Sequence, residues 1–235
     1  MTIFRYALLR GIRSPLSLIC NCILPIFIVV FPPFWRENGI GFGLGPFSLL
    51  MMVVMSGAYL MSQSILVDKS DGAIVRIMAA PITLRRYFAE NVLSSMVPLV
   101  IQSMLVSVLG FILHDWTAAL SFAVFLCYTV LTIASITMSF AWHSLFLSND
   151  KESSGAGFVT LLLLVAMVGG LTFPVEAFPG PLEYVGAIFP PYWAVRAMTN
   201  VLDVGYISGN FGLDIGVMLL FSVAYLLYGG SRKIQ

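Results

Sequence analysis

Charge is what this sequence has least of. Only 10% of its 235 residues are Asp, Glu, Lys or Arg, against roughly 25% in a soluble domain, while 59% are hydrophobic. The deficit excludes an ordinary soluble fold and puts nearly all of the chain in lipid. Its longest polar interruption is too short to fold alone, so residues 1–235 read as a single transmembrane domain. Cysteine is scarce as well. Cys20, Cys22 and Cys127 each sit inside an apolar run, which suits small buried hydrophobes rather than a disulfide framework or metal site. His114 and His143 stand alone near span ends and read as satisfied interfacial side chains. The sequence has no GxxxxGKS/T phosphate loop and no HExxH or paired Cys/His pattern. Its serines lack a partner base. No catalytic, cofactor-binding or metal-binding residue is therefore assigned, and nucleic acid is not expected as a partner.

Charge is also missing from the middles of the apolar runs. Glu90 and Asp214 fall near run ends, where both are expected to reach water. A pump driven by protons or sodium normally needs a carboxylate at membrane depth. Its absence predicts that the energy source lies on another protein.

What remains is hydrocarbon in bilayer-sized lengths. A span takes about 20 apolar residues, and six are expected: Pro15–Phe34, Leu44–Val67, Asn91–Leu113 (interrupted by Pro98), Ala118–Leu145, Gly155–Phe173 and Phe211–Gly229. The fold class is thus an all-α integral membrane protein. Residues 1–14 alternate Arg5, Arg10 and Arg13 with Ile3, Phe4, Ala7 and Leu8, the pattern of a helix lying in the interface. They lack a clear cleavage site and are expected to be retained. Phe34 and Trp35 mark the far interface, and His114-Asp115-Trp116 is expected to be a tight turn.

Residues 174–209 are apolar but too broken to cross. Leu182–Phe189 and Trp193–Leu202 are expected as two short helices separated by Pro190-Pro191, dipping into the membrane as a re-entrant segment. Six spans put both termini on one side. Arg5, Arg10, Arg13, Lys69, Arg76, Arg85, Arg86, Lys151, Arg232 and Lys233 would share that side, with Arg36 and Arg196 opposite. Ten basic residues against two predict cytoplasmic termini. No internal repeat is visible, so the inverted-repeat plan of many secondary transporters is not supported.

The chain is organised around residues 68–88, DKSDGAIVRIMAAPITLRRYF, the expected cytoplasmic loop between spans two and three. Ile74, Ile77 and Met78 share one helical face, and Pro81 ends the helix. One reading is a solvated loop whose charges fix orientation. The other is a docking element, its apolar face filling a groove on a cytoplasmic engine and Arg76 meeting acidic residues at the rim.

GAIVRIMAAPITLRRYF resembles the cytoplasmic segment of ABC-2-type transporter permeases, whose usual form is Gly-Thr-x-Glu-x-hydrophobic-x-x-(Ala/Ser/Thr)-Pro-(Ile/Val). Gly72, Arg76, Ala80, Pro81 and Ile82 match. Ala73 stands for Thr and Val75 for Glu, which removes a polar contact. GGLTFPVEAFPGPLEYVGAIFPPYWAVRAMTNVL resembles the family's small-residue run, its Phe-Pro and its Pro-x-x-(Tyr/Trp)-Ala stretch. The likeness covers essentially the whole chain.

The resemblance implies an exporter built from two permeases, either copies or homologues, and two cytoplasmic ATP-binding-cassette subunits. ATP and Mg would sit on those partners, with no cofactor on this chain. It implies that Asp71, Gly72, Ile74, Arg76, Ile77, Met78 and Pro81 belong to the coupling helix. It implies an outer gate across Phe173–Leu202, with Phe173, Pro174, Glu176, Pro190, Tyr192 and Trp193 as its candidates. Met51, Met52, Met55 and Tyr59 on the second span are candidates for the substrate path; the same stripe suits ordinary packing. An apolar interior favours a lipophilic drug, antibiotic, hydrophobic peptide or lipid in a bacterial inner membrane. A stand-alone scramblase, channel or immunity factor is the alternative. An intramembrane enzyme would need an acid, base or metal cluster that the spans do not supply.

Overall fold

The computed structural model describes residues 2–35, 44–70, 84–145, 151–173 and 180–231, and among them all regular structure is helical. Helix α1 (Thr2–Arg13) precedes a first span built in pieces. These are α2 (Pro15–Leu18), a π turn at Ile19–Ile23, α3 (Leu24–Val30) and a 3-10 turn at Pro32–Trp35. Then follow α4 (Pro46–Ser70), α5 (Leu84–Leu113), α6 (Ala118–Leu145), α7 (Lys151–Val168), α8 (Gly180–Gly186), α9 (Pro190–Val204) and α10 (Gly209–Ser231).

Among the described residues three stretches are long and apolar enough to cross a bilayer: Ala89–Leu113, Ala118–Trp142 and Gly209–Tyr228. Phe4–Gly11 and Pro15–Val30 qualify as a pair bent by 75°. Pro46–Leu60 and Gly157–Val168 are apolar but shorter. Within the described residues length and composition thus give three spans, or four with the bent pair, where the sequence predicts six. Helix α7 stops at Val168, before the expected Phe173. Gly170 ends α7: it takes φ +83, and Leu171 N donates to Ala166 O at 3.0 Å. That is a left-handed helix cap, which a Cβ would strain.

Helix α6 is the hub. It is apolar on all sides, and such a helix is buried; 61% of its span lies inside the protein, against 33% for α5 and 28% for α10. It packs against α4, α5, α9 and α10. Leu50, Met51 and Met55 of α4, Cys127, Tyr128 and Leu131 of α6, Met198 of α9 and Met218 of α10 are fully enclosed there. The Tyr128 hydroxyl donates to Phe47 O at 3.0 Å, tying α6 to the first turn of α4. Tyr128→Phe is expected to cost about 1 kcal/mol and to lower the melting temperature in detergent by a few degrees.

The tight turn after α5 forms as expected, with Asp115 at φ 51. His114 is satisfied: Nε2 lies 2.7 Å from Val29 O, and the ring stacks on Trp35 at 4.4 Å. Pro190-Pro191 does not fall between two helices. The pair opens α9, after Phe189 in extended conformation, because the first helical N–H groups have no partner to lose. The break instead occupies Ala187–Phe189, between α8 and α9.

Candidate functional site

Three sets of residues were singled out by sequence. The first, Asp71, Gly72, Ile74, Arg76, Ile77, Met78 and Pro81, lies outside the described residues. Its flanks are the end of α4 at Ser70 and the start of α5 at Leu84. At the base of α5 the Arg86 Nε donates to Glu90 Oε1 at 2.9 Å, and Phe4 N of α1 donates to Glu90 Oε2 at 3.1 Å. One carboxylate therefore joins α1 to the helix that follows the loop.

The second set divides by helical phase. Met51 and Met55, four apart, are 0% and 1% exposed and pack into the core with α6. Met52 and Tyr59, seven apart, face the other way. They join Leu49, Val53 and Ser56 in lining a cavity of about 460 Å³ between α3, α4 and α7. Leu24, Phe27, Ile28 and Phe34 form the opposite wall, with Val159, Leu162, Leu163 and Ala166 on the third side. The volume is that of a ligand pocket, roughly 300–1,000 Å³. Its lining is almost wholly apolar. The Ser56 hydroxyl is turned back to Met52 O and Val53 O, at 2.9 and 3.0 Å, and the Tyr59 ring stacks on Phe158 at 4.9 Å. Such a space suits a hydrocarbon guest and offers nothing to a charged one.

In the third set Tyr192 and Trp193 are braced. Phe173 is exposed; Pro174 and Glu176 lie outside the described residues. Pro190 is buried at the start of α9. The Tyr192 hydroxyl donates to Glu183 Oε1 of α8 at 3.0 Å, and Trp193 Nε1 donates to Ala187 O at 2.8 Å. Burial first, then the Glu183 carboxylate, raises the Tyr192 hydroxyl above its ordinary range. Gly169 gives α9 its close approach to α7, since a Cβ there would lie 2.9 Å from the Pro191 Cβ.

One residue departs from its expected setting. Asp214 does not reach water: it is 0% exposed. Arg196 Nε of α9 lies 3.2 Å from its Oδ1, and Asn200 Nδ2 donates to its Oδ2 at 3.2 Å. The Arg196 guanidinium also stacks 4.9 Å over the Trp193 ring. A buried carboxylate is therefore present, but it is engaged by a cation and an amide. The sequence signal for it was a single Asp in the apolar run 211–229. The wall supplied by Leu24, Phe27, Val159 and Leu163 had no such signal, since nothing distinguishes them from lipid-facing neighbours.

A family profile described as ABC-2 family transporter protein matches residues 23–229, which spans α3 to α10, the cavity and the Arg196–Asp214 pair. None of the curated proteins compared with the chain matches it.

Proposed function

The chain belongs to the ABC-2 family of transporter proteins, and from that premise we propose that it is the membrane-spanning subunit of an ATP-driven exporter of lipophilic cargo. Permeases of this family work with ATP-binding-cassette partners. Two such subunits, holding ATP and Mg, would dock from the cytoplasm on Asp71–Pro81, and a second permease would complete the pathway. The topology proposed for that role has six spans with cytoplasmic termini in a bacterial inner membrane, α1 in the interface and α8–α9 re-entrant. Three spans are α5, α6 and α10; Pro15–Val30, α4 and α7 supply the others.

The observation that carries the cargo class is the apolar cavity beside Met52 and Tyr59. It lies between the first span, α4 and α7, and α4 is the helix that runs directly into the coupling segment. Closure of the two ATPases would push that segment. Helices α4 and α5 would then move as levers, with α1 carried along through Glu90. Displacing α4 against α3 and α7 reshapes the pocket, which is how a push at the cytoplasm would change the grip on a guest.

The test is twofold. The purified chain should bring down a nucleotide-hydrolysing subunit; uphill movement of cargo by the chain alone would overturn the proposal in favour of a self-sufficient membrane protein. Leu163→Trp, at an exposed position on the cavity wall, should fill the space. Losing one apolar side chain's worth of burial is about 1.5–3 kcal/mol, so export is expected to fall on the order of tenfold or more while the ATPase still co-purifies. Unchanged export would remove the cavity from the pathway.

A further inference from the structure

We propose that the Arg196–Asp214 pair is a latch that holds α9 closed against α6 and α10, and that Cys127 is sealed beneath it. The two partners differ in burial. The Arg196 side chain is 44% exposed, whereas Asp214 is 0% exposed. If α9 lifts, the guanidinium, already partly in water, loses little, whereas the enclosed carboxylate loses its counter-charge. Closure thus gives Asp214 an ion pair with Arg196 and one hydrogen bond, from Asn200, and opening removes both. The buried face of α9, Ala194, Ala197, Met198 and Val201, is mostly small and apolar. Ordinary apolar contact would permit sliding, so the charge pair supplies the register. At the far end Gly205, at φ +78, caps α9 with its N donating to Val201 O at 2.9 Å, and α10 begins at Gly209.

Cys127 makes the latch readable. Its sulfur lies 3.7 Å from Ala194 O, and it is 0% exposed under α9. It can meet a reagent when α9 moves away. The proposal rests on the transporter reading for its purpose, as the closure of one end of a pathway, but the contact itself can be tested without cargo or ATPase. That separates failure of the latch from failure of the proposed function.

The experiment uses the full chain in lipid nanodiscs with Cys20→Ser and Cys22→Ser, so that Cys127 is the remaining thiol, and follows its rate of reaction with N-ethylmaleimide. Arg196→Gln and Asp214→Asn are each expected to speed labelling by about tenfold, the scale of a partly exposed ion pair. Their combination should be no faster than the quicker single variant, because both remove one contact. Asp214→Glu, which keeps the charge, should stay within about twofold of the parent. The proposal is overturned if both neutral variants label at the parental rate, or if their effects multiply. It is also overturned if a chain keeping Cys22 alone shows the same acceleration there, since that would mean general loosening. Should Arg196→Gln fail to accumulate, Asp214→Asn decides the matter, because it removes the buried charge.

Discussion

Ile77→Asp is expected to leave the chain inserted in the membrane and to abolish transport. Ile74, Ile77 and Met78 recur at the spacing that puts three side chains on one helical face, and Ile77 is the middle one. Burying an isoleucine in a partner's groove contributes about 1.5–3 kcal/mol. An aspartate in its place loses that and must also be desolvated or exclude itself from the groove. Together these amount to about 4 kcal/mol or more, a thousandfold loss of docking affinity. Insertion should be indifferent, since the residue lies between spans whose apolar lengths do not change. The measurements are ATP-driven uptake into inverted vesicles and recovery of the ATPase with the permease, both expected to vanish while membrane abundance holds. Normal export from this variant would refute the docking role of Asp71–Pro81.

Gly110→Leu is expected to have the largest effect on stability. A Cβ at Gly110 of α5 would fall 2.3 Å from two ring carbons of Trp116 and 2.6 Å from a third. The indole has nowhere to go. It is 7% exposed, packs 5.2 Å from Phe47 and 5.4 Å from Trp35, and Trp35 is itself fixed by donating Nε1 to Ile28 O at 2.9 Å. One side chain would therefore displace the aromatic cluster that joins the first span, α4 and the α5–α6 turn. Overpacking costs of about 1–3 kcal/mol are usual; here about 3 kcal/mol or more is expected, with a corresponding loss of folded protein. Gly212→Ala and Gly216→Ala are the comparison, since a Cβ at either meets nothing within 4 Å and should change stability by no more than about 0.5 kcal/mol. Melting in detergent by fluorescence distinguishes them. A Gly110→Leu protein that melts with the parent would show that Trp116 does not pack on that glycine.

The helices were legible where hydrophobicity and punctuation agree. Ala118–Leu145 reads as one apolar run between a turn and a polar link, and α6 has those bounds. Pro190-Pro191 was legible as a boundary but not as which kind, because proline marks the first turn of a helix as readily as the end of one. The end of α7 was missed by five residues: Leu171–Phe173 are as apolar as what precedes them, and the stop comes from the conformation of Gly170. At the candidate site, the stripe on α4 was visible in composition but its division was not. Which side of a uniformly apolar helix meets α6 and which meets the cavity is decided by neighbours distant in sequence. Asp214 shows the same limit. Its run-end position predicts contact with water, and only the arrival of Arg196 and Asn200 from α9 encloses it.

The π turn at Ile19–Ile23 carries a consequence for the cavity wall. It inserts one extra residue into the first span, and it turns Asn21 inward, at 2% exposure, against the bare backbone of Gly57, where any Cβ would lie 1.9 Å from the Asn21 Oδ1. Everything beyond the insertion is rotated by about 100° relative to an unbroken α-helix. Leu24, Phe27 and Ile28 owe their aim into the cavity to that offset. A relative one residue shorter at this point could keep every hydrophobic side chain of the span and still present a different set to the guest, so that length here, as much as composition, tunes what the pocket accepts.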